Sequence, residues 1–212
     1  MYAQGTQHIF ADTLKRLLKE ESFQKIRVSD LCKEAGLSRK SFYNYFEDKY
    51  ELLIWIFEMD MKRLLYTFGL IEKEKHCSLE EMLRDVLPQI PRKMINKICE
   101  AYLTYLREHD TFYIAALSYD GQNSFRAYFA RILEVITFIY IDEVYILEED
   151  RHVFAEFYAD AYLVSIEKWL IHHKKLSPKE YLQLVQPLAR DDGYQGFDKR
   201  AQNIFRVLQK AK

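Results

Sequence analysis

The chain has 212 residues, of which 49% are hydrophobic and 15% aromatic, and it carries 31 basic against 32 acidic side chains. This length and composition can bury a substantial core, so disorder along the whole chain and a uniformly cationic surface are both excluded. Residues 1–50 hold nine Lys and Arg against seven Asp and Glu while the remainder is net negative, which suits a nucleic-acid partner at the N-terminal end.

Only six glycines and four prolines interrupt the sequence, and apolar residues recur mostly at helical spacing. Near the N-terminus this spacing predicts a first helix that ends near Glu21 and a longer helix over 48–68. The other predicted helices lie near 28–35, 39–45, 79–88, 91–108, 110–117, 122–147, 151–174, 178–190 and 197–209. Residues 136–146 have a strand-like composition but no second strand to pair with, so an all-α fold is predicted.

The second and third predicted helices are joined by a short corner. Ala35 ends the inward face of the first of these helices, and Gly36 can adopt the left-handed conformation that terminates it. Leu37 is placed to fill the corner, and Ser38 is a favourable N-cap for the next helix. Two short helices joined in this way describe a helix-turn-helix.

The second helix of this pair, predicted over 39–46, has an apolar and a polar side. Phe42 and Phe46 share the side that would be buried, and Asn44 lies opposite them. The polar side chains that flank Asn44 or occupy the first turn are Arg39, Lys40, Ser41 and Tyr43. Such groups can hydrogen-bond base edges or phosphates in a major groove, although a polar face alone is also typical of any surface helix.

The fuller pattern over 31–53 reads Leu-x3-Ala-Gly-Leu-Ser-Arg-x-Ser-Phe-Tyr-x-Tyr-Phe-x-Asp-Lys-x-Glu-Leu-Leu. It resembles the DNA-binding signature of the TetR family of transcription regulators, and the resemblance covers roughly residues 5–60. It implies a three-helix DNA-binding domain over 1–50, joined by the helix at 48–68 to a helical regulatory and dimerisation domain over 70–212.

The resemblance also implies roles for single residues, with the helix-turn-helix at about 27–46. The side chains that match DNA-contacting positions of the family are Ser29, Arg39, Lys40, Ser41, Tyr43, Asn44, Tyr45 and Lys49. Tyr43 and Tyr45 match phosphate-binding aromatic positions, and Lys49 matches the lysine that anchors the fourth helix to the DNA backbone. Ser29 matches a base or phosphate contact, and the other four match variable base-reading or backbone-contacting positions.

Two features depart from the family pattern. Arg27 stands where a capping Thr or Ser is common, so either that cap is missing or the arginine contacts phosphate instead. Residues 1–7 contain no Lys or Arg, which argues against reading of the minor groove by the N-terminal arm.

The C-terminal part resembles a TetR subtype of Gram-positive bacteria, some members of which regulate dihydroxyacetone kinase genes. The resemblance rests on residues 102–125, with agreement at Tyr158, Ala161, Trp169 and the segment 176–180. Within this part, one cluster of aromatic residues is a candidate effector pocket, although ordinary core packing explains such a cluster equally well. Its members are Tyr102, Tyr105, Phe112, Tyr113, Phe125 and Phe129.

The helix predicted over 151–174 carries two apolar stripes, one for its own core and one for a partner. The stripe that we assign to a dimer interface consists of Phe154, Tyr158, Ala161, Tyr162, Ser165 and Trp169. The second stripe consists of Val153, Phe157, Val164 and Ile171. The alternative is a monomer in which the helix at 197–209 covers the exposed stripe.

The sequence predicts neither a cofactor nor a metal site. Cys32, Cys77 and Cys99 are far apart and form no Cys-x-x-Cys pair, which favours a reducing compartment. No signal peptide is recognisable, and the longest uncharged apolar run, 135–141, is far shorter than the roughly 20 residues of a membrane helix. We expect a cytoplasmic protein without membrane contact.

These patterns predict a DNA-binding transcription regulator and not an enzyme, because no phosphate loop, nucleophile elbow or zinc-protease motif is present. The expected form is a homodimeric repressor that reads a palindromic operator and is released by a small-molecule effector. The alternative is a co-activator that acts through a protein co-regulator.

Overall fold

The computed structural model describes residues 3–71, 77–118, 124–140, 150–172 and 175–185. All regular structure in these segments is helical, which confirms the all-α prediction. The helices are α1 (Ala3–Leu17), α2 (Val28–Ala35), α3 (Arg39–Tyr43), α4 (Lys49–Thr67), α5 (Leu79–Val86), α6 (Arg92–Glu108), α7 (Asp110–Leu117), α8 (Phe125–Tyr140), α9 (Arg151–His172) and α10 (Pro178–Val185), with a 3₁₀ turn at Leu87–Gln89. The helix predicted over 197–209 lies outside the described residues.

Helices α1 to α3 form an N-terminal head around an aromatic core. Phe10 of α1 and Phe42 of α3 are fully buried, and their rings meet edge to face with centroids 5.2 Å apart. Phe46 packs against Trp55 of α4 at 5.9 Å. The core of the head therefore depends on the first turns of α4 as well as on its own three helices.

Helix α4 continues from the head into the body, which we define as α5 to α10. Asp48 caps its first turn by accepting hydrogen bonds from the backbone N–H groups of Tyr50 and Glu51. Farther along, Phe57 is fully buried against Phe125 and Phe129 of α8, with ring centroids 5.2 and 5.5 Å away. Helix α4 therefore contributes side chains to the core of the head and to the core of the body.

A buried carboxylate provides a second connection between head and body. Asp60 of α4 is 8% exposed and accepts a hydrogen bond from Lys15 Nζ of α1 at 3.2 Å. The hydroxyl of Tyr113 in α7 donates to the same oxygen at 3.4 Å. The last turn of α1 is therefore linked through α4 to the interior of the body.

Helices α8 and α9 pack against each other along their length. Arg126 near the start of α8 pairs with Glu167 near the end of α9 at 3.3 Å, and Arg151 at the start of α9 donates to the carbonyl of Phe138 at 3.1 Å. Because each contact joins opposite ends, the two helices run antiparallel. None of the helices in the described segments is both long and apolar enough to cross a membrane.

Candidate nucleic-acid interface

The corner between α2 and α3 has the geometry that the sequence predicts. Gly36 adopts φ 66° and ψ 25°, in the left-handed region that side chains disfavour, and its N–H turns back toward the carbonyls of Cys32 and Lys33. Leu37 N–H donates to the carbonyl of Cys32 at 3.0 Å, and the Leu37 side chain packs against the core. The predicted helix-turn-helix corner is confirmed.

Helix α3 is shorter than the segment predicted over 39–46. Ser38 caps it as expected, because its hydroxyl accepts a hydrogen bond from Ser41 N–H at 3.0 Å. The regular helix ends at Tyr43, but the N–H of Phe46 still donates to the carbonyl of Phe42 at 3.0 Å. The chain after Tyr43 therefore continues as a turn that keeps both phenylalanines on the inner side.

The outer side of α3 is polar and accessible. Tyr43 is 50% exposed, and Arg39, Lys40 and Asn44 are also exposed, whereas Phe42 and Phe46 are buried. The guanidinium carbon of Arg39 lies 6.0 Å from the centroid of the Tyr43 ring, so these two side chains cover neighbouring parts of the same surface. The predicted division of this helix into an inner and an outer side is confirmed.

Two of the predicted contact residues lie at the edge of this surface. Ser41 is half-buried, and its hydroxyl is 2.8 Å from the hydroxyl of Ser38, so it takes part in the helix cap. Tyr45 is also half-buried, and its ring is tilted against Phe46 with centroids 6.4 Å apart. Both residues are less available to a duplex than Tyr43 and Asn44.

The start of α2 adds two exposed side chains, Arg27 and Ser29. The Arg27 N–H donates to the carboxylate of Asp30 at 3.2 Å, so Asp30 supplies the acidic half of a capping box but accepts from a different N–H than the missing hydroxyl would. The Arg27 side chain makes no capping hydrogen bond, since a guanidinium has no acceptor. The acidic residue three positions after Arg27 is the sequence signal that predicts this bond.

Lys49 makes hydrogen bonds within the head. Its Nζ donates to the carbonyl oxygens of Phe23, Gln24 and Ile26 at 2.7, 3.2 and 2.8 Å. The phosphate contact that the family resemblance implies for Lys49 stays a prediction, and it would require at least one of these bonds to break. The sequence does not reveal the bonds, because the loop that supplies the carbonyls is more than 20 residues away in the chain.

The aromatic residues predicted to line an effector pocket do lie together in the body. Tyr113 packs against Phe112 at 5.1 Å and Tyr105 at 6.1 Å, and Phe125 packs against Phe129 at 5.8 Å. Tyr102 packs against Phe129 at 6.2 Å. These distances are those of direct ring contact, and the six side chains lie in the hydrophobic core or pack against it.

Two tyrosine hydroxyls of this aromatic cluster, those of Tyr105 and Tyr113, hydrogen-bond to Asp60. Burial raises the pKa of Tyr102, Tyr105 and Tyr113 well above the usual value, and the negative charge of Asp60 raises each of them further. These phenols are therefore neutral donors at physiological pH. The Tyr102 hydroxyl is buried and has no hydrogen-bond partner.

The stripe of α9 that we assigned to the dimer interface is partly internal. Trp169 is fully buried, donates from Nε1 to the carbonyl of Leu176 at 3.1 Å and stacks on Tyr181 at 4.8 Å. Ser165 accepts a hydrogen bond from the Tyr181 hydroxyl at 2.7 Å. Ser165 and Trp169, which the sequence predicts at a dimer interface, therefore contact Tyr181 of α10 within the same chain.

The other stripe is the accessible one. Phe157 is 67% exposed, and the remaining exposed apolar residues of α9 are Val153, Phe154, Val164 and Ile171. Phe154 belonged to the stripe that we assigned to the interface, and Ala161 of that stripe is exposed too. We refer to Val153, Phe154, Phe157, Val164 and Ile171 as the α9 apolar stripe.

A cleft of about 300 Å³ between the start of α4 and α8 was not expected from the sequence. Its lining residues are Glu47, Asp48, Tyr50, Glu51, Ile54, Ser124, Ala127, Tyr128 and Arg131. Three acidic residues of the head and Arg131 of α8 are among these lining residues, so the head side of the cleft does not have the cationic character of α3. The candidate nucleic-acid interface consists of the start of α2 and the outer side of α3.

Two family models match the chain. Residues 11–55 match the model described as bacterial regulatory proteins, tetR family, and residues 93–191 match the model described as transcriptional regulator C-terminal region. The first match contains the corner at Gly36 and all of α3. The second spans the body from α6 to the end of α10.

Curated relatives are similar to this chain over different lengths. The dhaKLM operon transcriptional activator DhaS of Lactococcus lactis is 43% identical over 60 residues, or 28% of this chain and only 32% of that protein. An HTH-type transcriptional regulator of Staphylococcus aureus (strain bovine RF122) is 22% identical over 181 residues, which cover 84% of this chain and 88% of the relative. Both are regulators of transcription by name, and neither is an enzyme.

A solved structure shares the fold. The structure of the dihydroxyacetone kinase operon activator DhaS aligns with a TM-score of 0.54 and 24% sequence identity. The alignment covers 85% of this chain and 92% of that chain. The arrangement of head and body described above is therefore found in an experimentally determined regulator.

Proposed function

The chain belongs to the TetR family of bacterial regulatory proteins, and from this premise we propose that it binds operator DNA as a homodimer through its helix-turn-helix. The observation that carries the proposal is the division of α3. Tyr43 and Asn44 are exposed beside Arg39 and Lys40, while the apolar residues of the same helix are buried. A short helix with one polar, cationic and accessible side is the element that enters a major groove in this motif.

We divide the proposed contacts by their chemistry. Arg39, Lys40 and Asn44 are placed to reach base edges, because their side chains are long or carry an amide that can pair with adenine. Arg27 and Tyr43 are placed to contact phosphates on either side, and Ser29 can donate to a phosphate. Phosphate contacts fix the register of the protein, and the base contacts then supply the sequence preference.

The α9 apolar stripe supports the proposed homodimer. A second copy of the same helix is its natural partner, because a two-fold axis lets one stripe pack on itself and removes five apolar side chains from water. Dimerisation would place two recognition helices about 34–36 Å apart, the spacing of successive major grooves on one face of DNA. The expected operator is therefore a near-palindrome.

The connection through Asp60 supports a response to a small molecule. A ligand that enters the aromatic cluster would have to move Tyr105 or Tyr113, and the carboxylate that they contact also holds Lys15 of the head. Such a movement would weaken the link between α1 and α4 and change how the two heads are held. We propose release of DNA by an effector on this basis.

Activation is the second candidate for the outcome of binding. The relative that is 43% identical over 60 residues and the solved structure with the same fold are both activators of a dihydroxyacetone kinase operon by name. If this chain also activates transcription, the candidate form is the co-activator that acts through a protein co-regulator. In vitro transcription from the bound promoter separates activation from repression.

Fluorescence anisotropy with DNA from upstream of the gene itself, supported by selection from a random DNA pool, tests the proposed function. We expect a preferred sequence with two related half-sites, and affinity that falls steeply as salt rises. Asn44→Ala should alter the preferred base at one position of each half-site. Binding that is absent for all fragments, or that shows no sequence preference, would reject the proposal.

A further inference from the structure

The ammonium group of Lys49, the first residue of α4, is directed at the loop between α1 and α2. Its three hydrogen bonds end on the carbonyl oxygens of Phe23 at 2.7 Å, Gln24 at 3.2 Å and Ile26 at 2.8 Å. A lysine ammonium has three protons and no acceptor. The carbonyls therefore account for its whole donor capacity.

Two aromatic rings enclose the same ammonium group. Nζ lies 4.6 Å from the ring centroid of Phe23 and 5.6 Å from that of Tyr50, and these rings pack edge to face at 5.1 Å. Burial lowers the pKa of Lys49, and the carboxylate of Asp48 partly opposes this change. The charge is thus held by carbonyls and ring faces of the head itself.

The position is otherwise unfavourable for a cation, because the N-terminal end of a helix carries partial positive charge. The carbonyls of the loop offset this repulsion. The same loop runs directly into Arg27 and Ser29, the exposed residues at the start of α2. The bonds from Lys49 therefore fix where α2 begins relative to α4.

We propose that Lys49 is a positioning residue for DNA binding, which ties the 23–26 loop to α4 and so places Arg27 and Ser29 against the duplex. This role replaces the phosphate contact that the family resemblance implies for Lys49. The inference rests on the proposed function. The positioning role and a phosphate contact require different properties of the Lys49 side chain. A phosphate contact needs a positive charge at the surface, whereas three converging carbonyls need the compact ammonium group.

The first test is amine labelling of the unmodified protein, read out by mass spectrometry, with Lys40 as the exposed reference. In the free protein we expect Lys49 to be acetylated at least about tenfold more slowly than Lys40. Addition of operator DNA should protect Lys40 and leave the rate at Lys49 unchanged. Labelling of Lys49 as fast as Lys40, or protection of Lys49 by DNA, would overturn the proposal.

The second test compares Lys49→Arg with Lys97→Arg, an exposed lysine of α6, in anisotropy titrations at several salt concentrations. A planar guanidinium cannot reach all three carbonyls, so Lys49→Arg should bind operator at least about tenfold more weakly, with an unchanged slope of log affinity against log salt. Lys97→Arg changes the same type of side chain outside the proposed DNA surface and should retain affinity. Operator binding by Lys49→Arg equal to that of the unmodified chain would contradict the positioning role. Binding of no DNA by the unmodified chain would instead reject the proposed function.

Discussion

At the scale of single residues, the proposed DNA-binding surface consists of exposed side chains that lie outside the protein's core. Arg27 lies at the N-cap of α2, where its backbone N–H donates to the carboxylate of Asp30 and its guanidinium stays at the surface. The Arg27 side chain therefore contributes little to the free energy of unfolding. Its charge is available to a phosphate next to the recognition helix.

We predict that Arg27→Gln weakens binding to every DNA sequence by a similar factor and lowers the slope of log affinity against log salt by about 0.9. The thermal midpoint should stay within about 2 °C of the unmodified protein, because surface substitutions of this kind change stability little. Lys97→Gln removes the same charge from an exposed position on α6 and should change neither quantity. Equal salt slopes for Arg27→Gln and the unmodified chain would argue against a phosphate contact.

At the scale of elements, the corner at Gly36 sets the angle between α2 and α3. A Cβ at Gly36 meets no atom within 4 Å, so the cost of a side chain there comes from the positive φ and not from a clash. We predict that Gly36→Ala lowers the free energy of unfolding by about 1–2 kcal/mol. Gly5→Ala is the matched control, since Gly5 is helical and equally free of neighbours, and it should raise stability by up to about 1 kcal/mol. Chemical denaturation of both variants measures the difference, and effects of the same sign would contradict this account.

The contact between α1 and α4 provides a second prediction at this scale. In a double-mutant cycle with Lys15→Met and Asp60→Asn, we expect a coupling energy of about 1 kcal/mol or more, because the carboxylate is buried and shared with Tyr113. Arg16 and Glu34 form the matched exposed pair between α1 and α2 at 2.6 Å. Their cycle, Arg16→Gln with Glu34→Gln, should give at most about 0.5 kcal/mol. If the coupling energy of Lys15 and Asp60 is no larger than that of the exposed pair, the contact at Asp60 does not hold the head to the body.

The elements that the sequence predicts well are those whose determinants lie within a few residues. The corner at Gly36 and the cap at Ser38 are local, and both agree with the structure. The contacts of Lys49 and of the α9 stripe around Trp169 are not predicted from the sequence, because tertiary packing brings in their partners. Lys49 contacts the loop before α2, and Ser165 of the stripe contacts Tyr181 of α10. Helical periodicity identifies apolar faces but does not say which face meets the protein's own core.

At the scale of the whole molecule, the proposed homodimer depends on the α9 apolar stripe. We predict that Phe157→Glu converts a dimer into a monomer in light-scattering measurements, since two carboxylates would be buried without partners at the two-fold axis. Leu184→Glu is the matched control, because Leu184 is 62% exposed on α10 and lies outside the stripe. A Phe157→Glu protein that keeps the mass of a dimer, or a Leu184→Glu protein that loses it, would place the interface elsewhere.

The same substitution should affect DNA binding through assembly alone. A monomer contacts one half-site, so Phe157→Glu should lose most of the affinity for a two-half-site operator while it retains the affinity for a single half-site. The recognition surface itself is unchanged in this variant. Loss of affinity for both DNA fragments would show that the substitution acts on folding rather than on assembly.

Photo-crosslinking from two matched tyrosine positions tests the central claim most directly. Tyr43 on α3 and Tyr66 near the end of α4 are 50% and 49% exposed, so p-benzoylphenylalanine at either position meets solvent to a similar extent. With the selected operator and ultraviolet light, we predict a covalent protein–DNA product from position 43 and none from position 66. No product from position 43, or equal yields from both positions, would contradict the account.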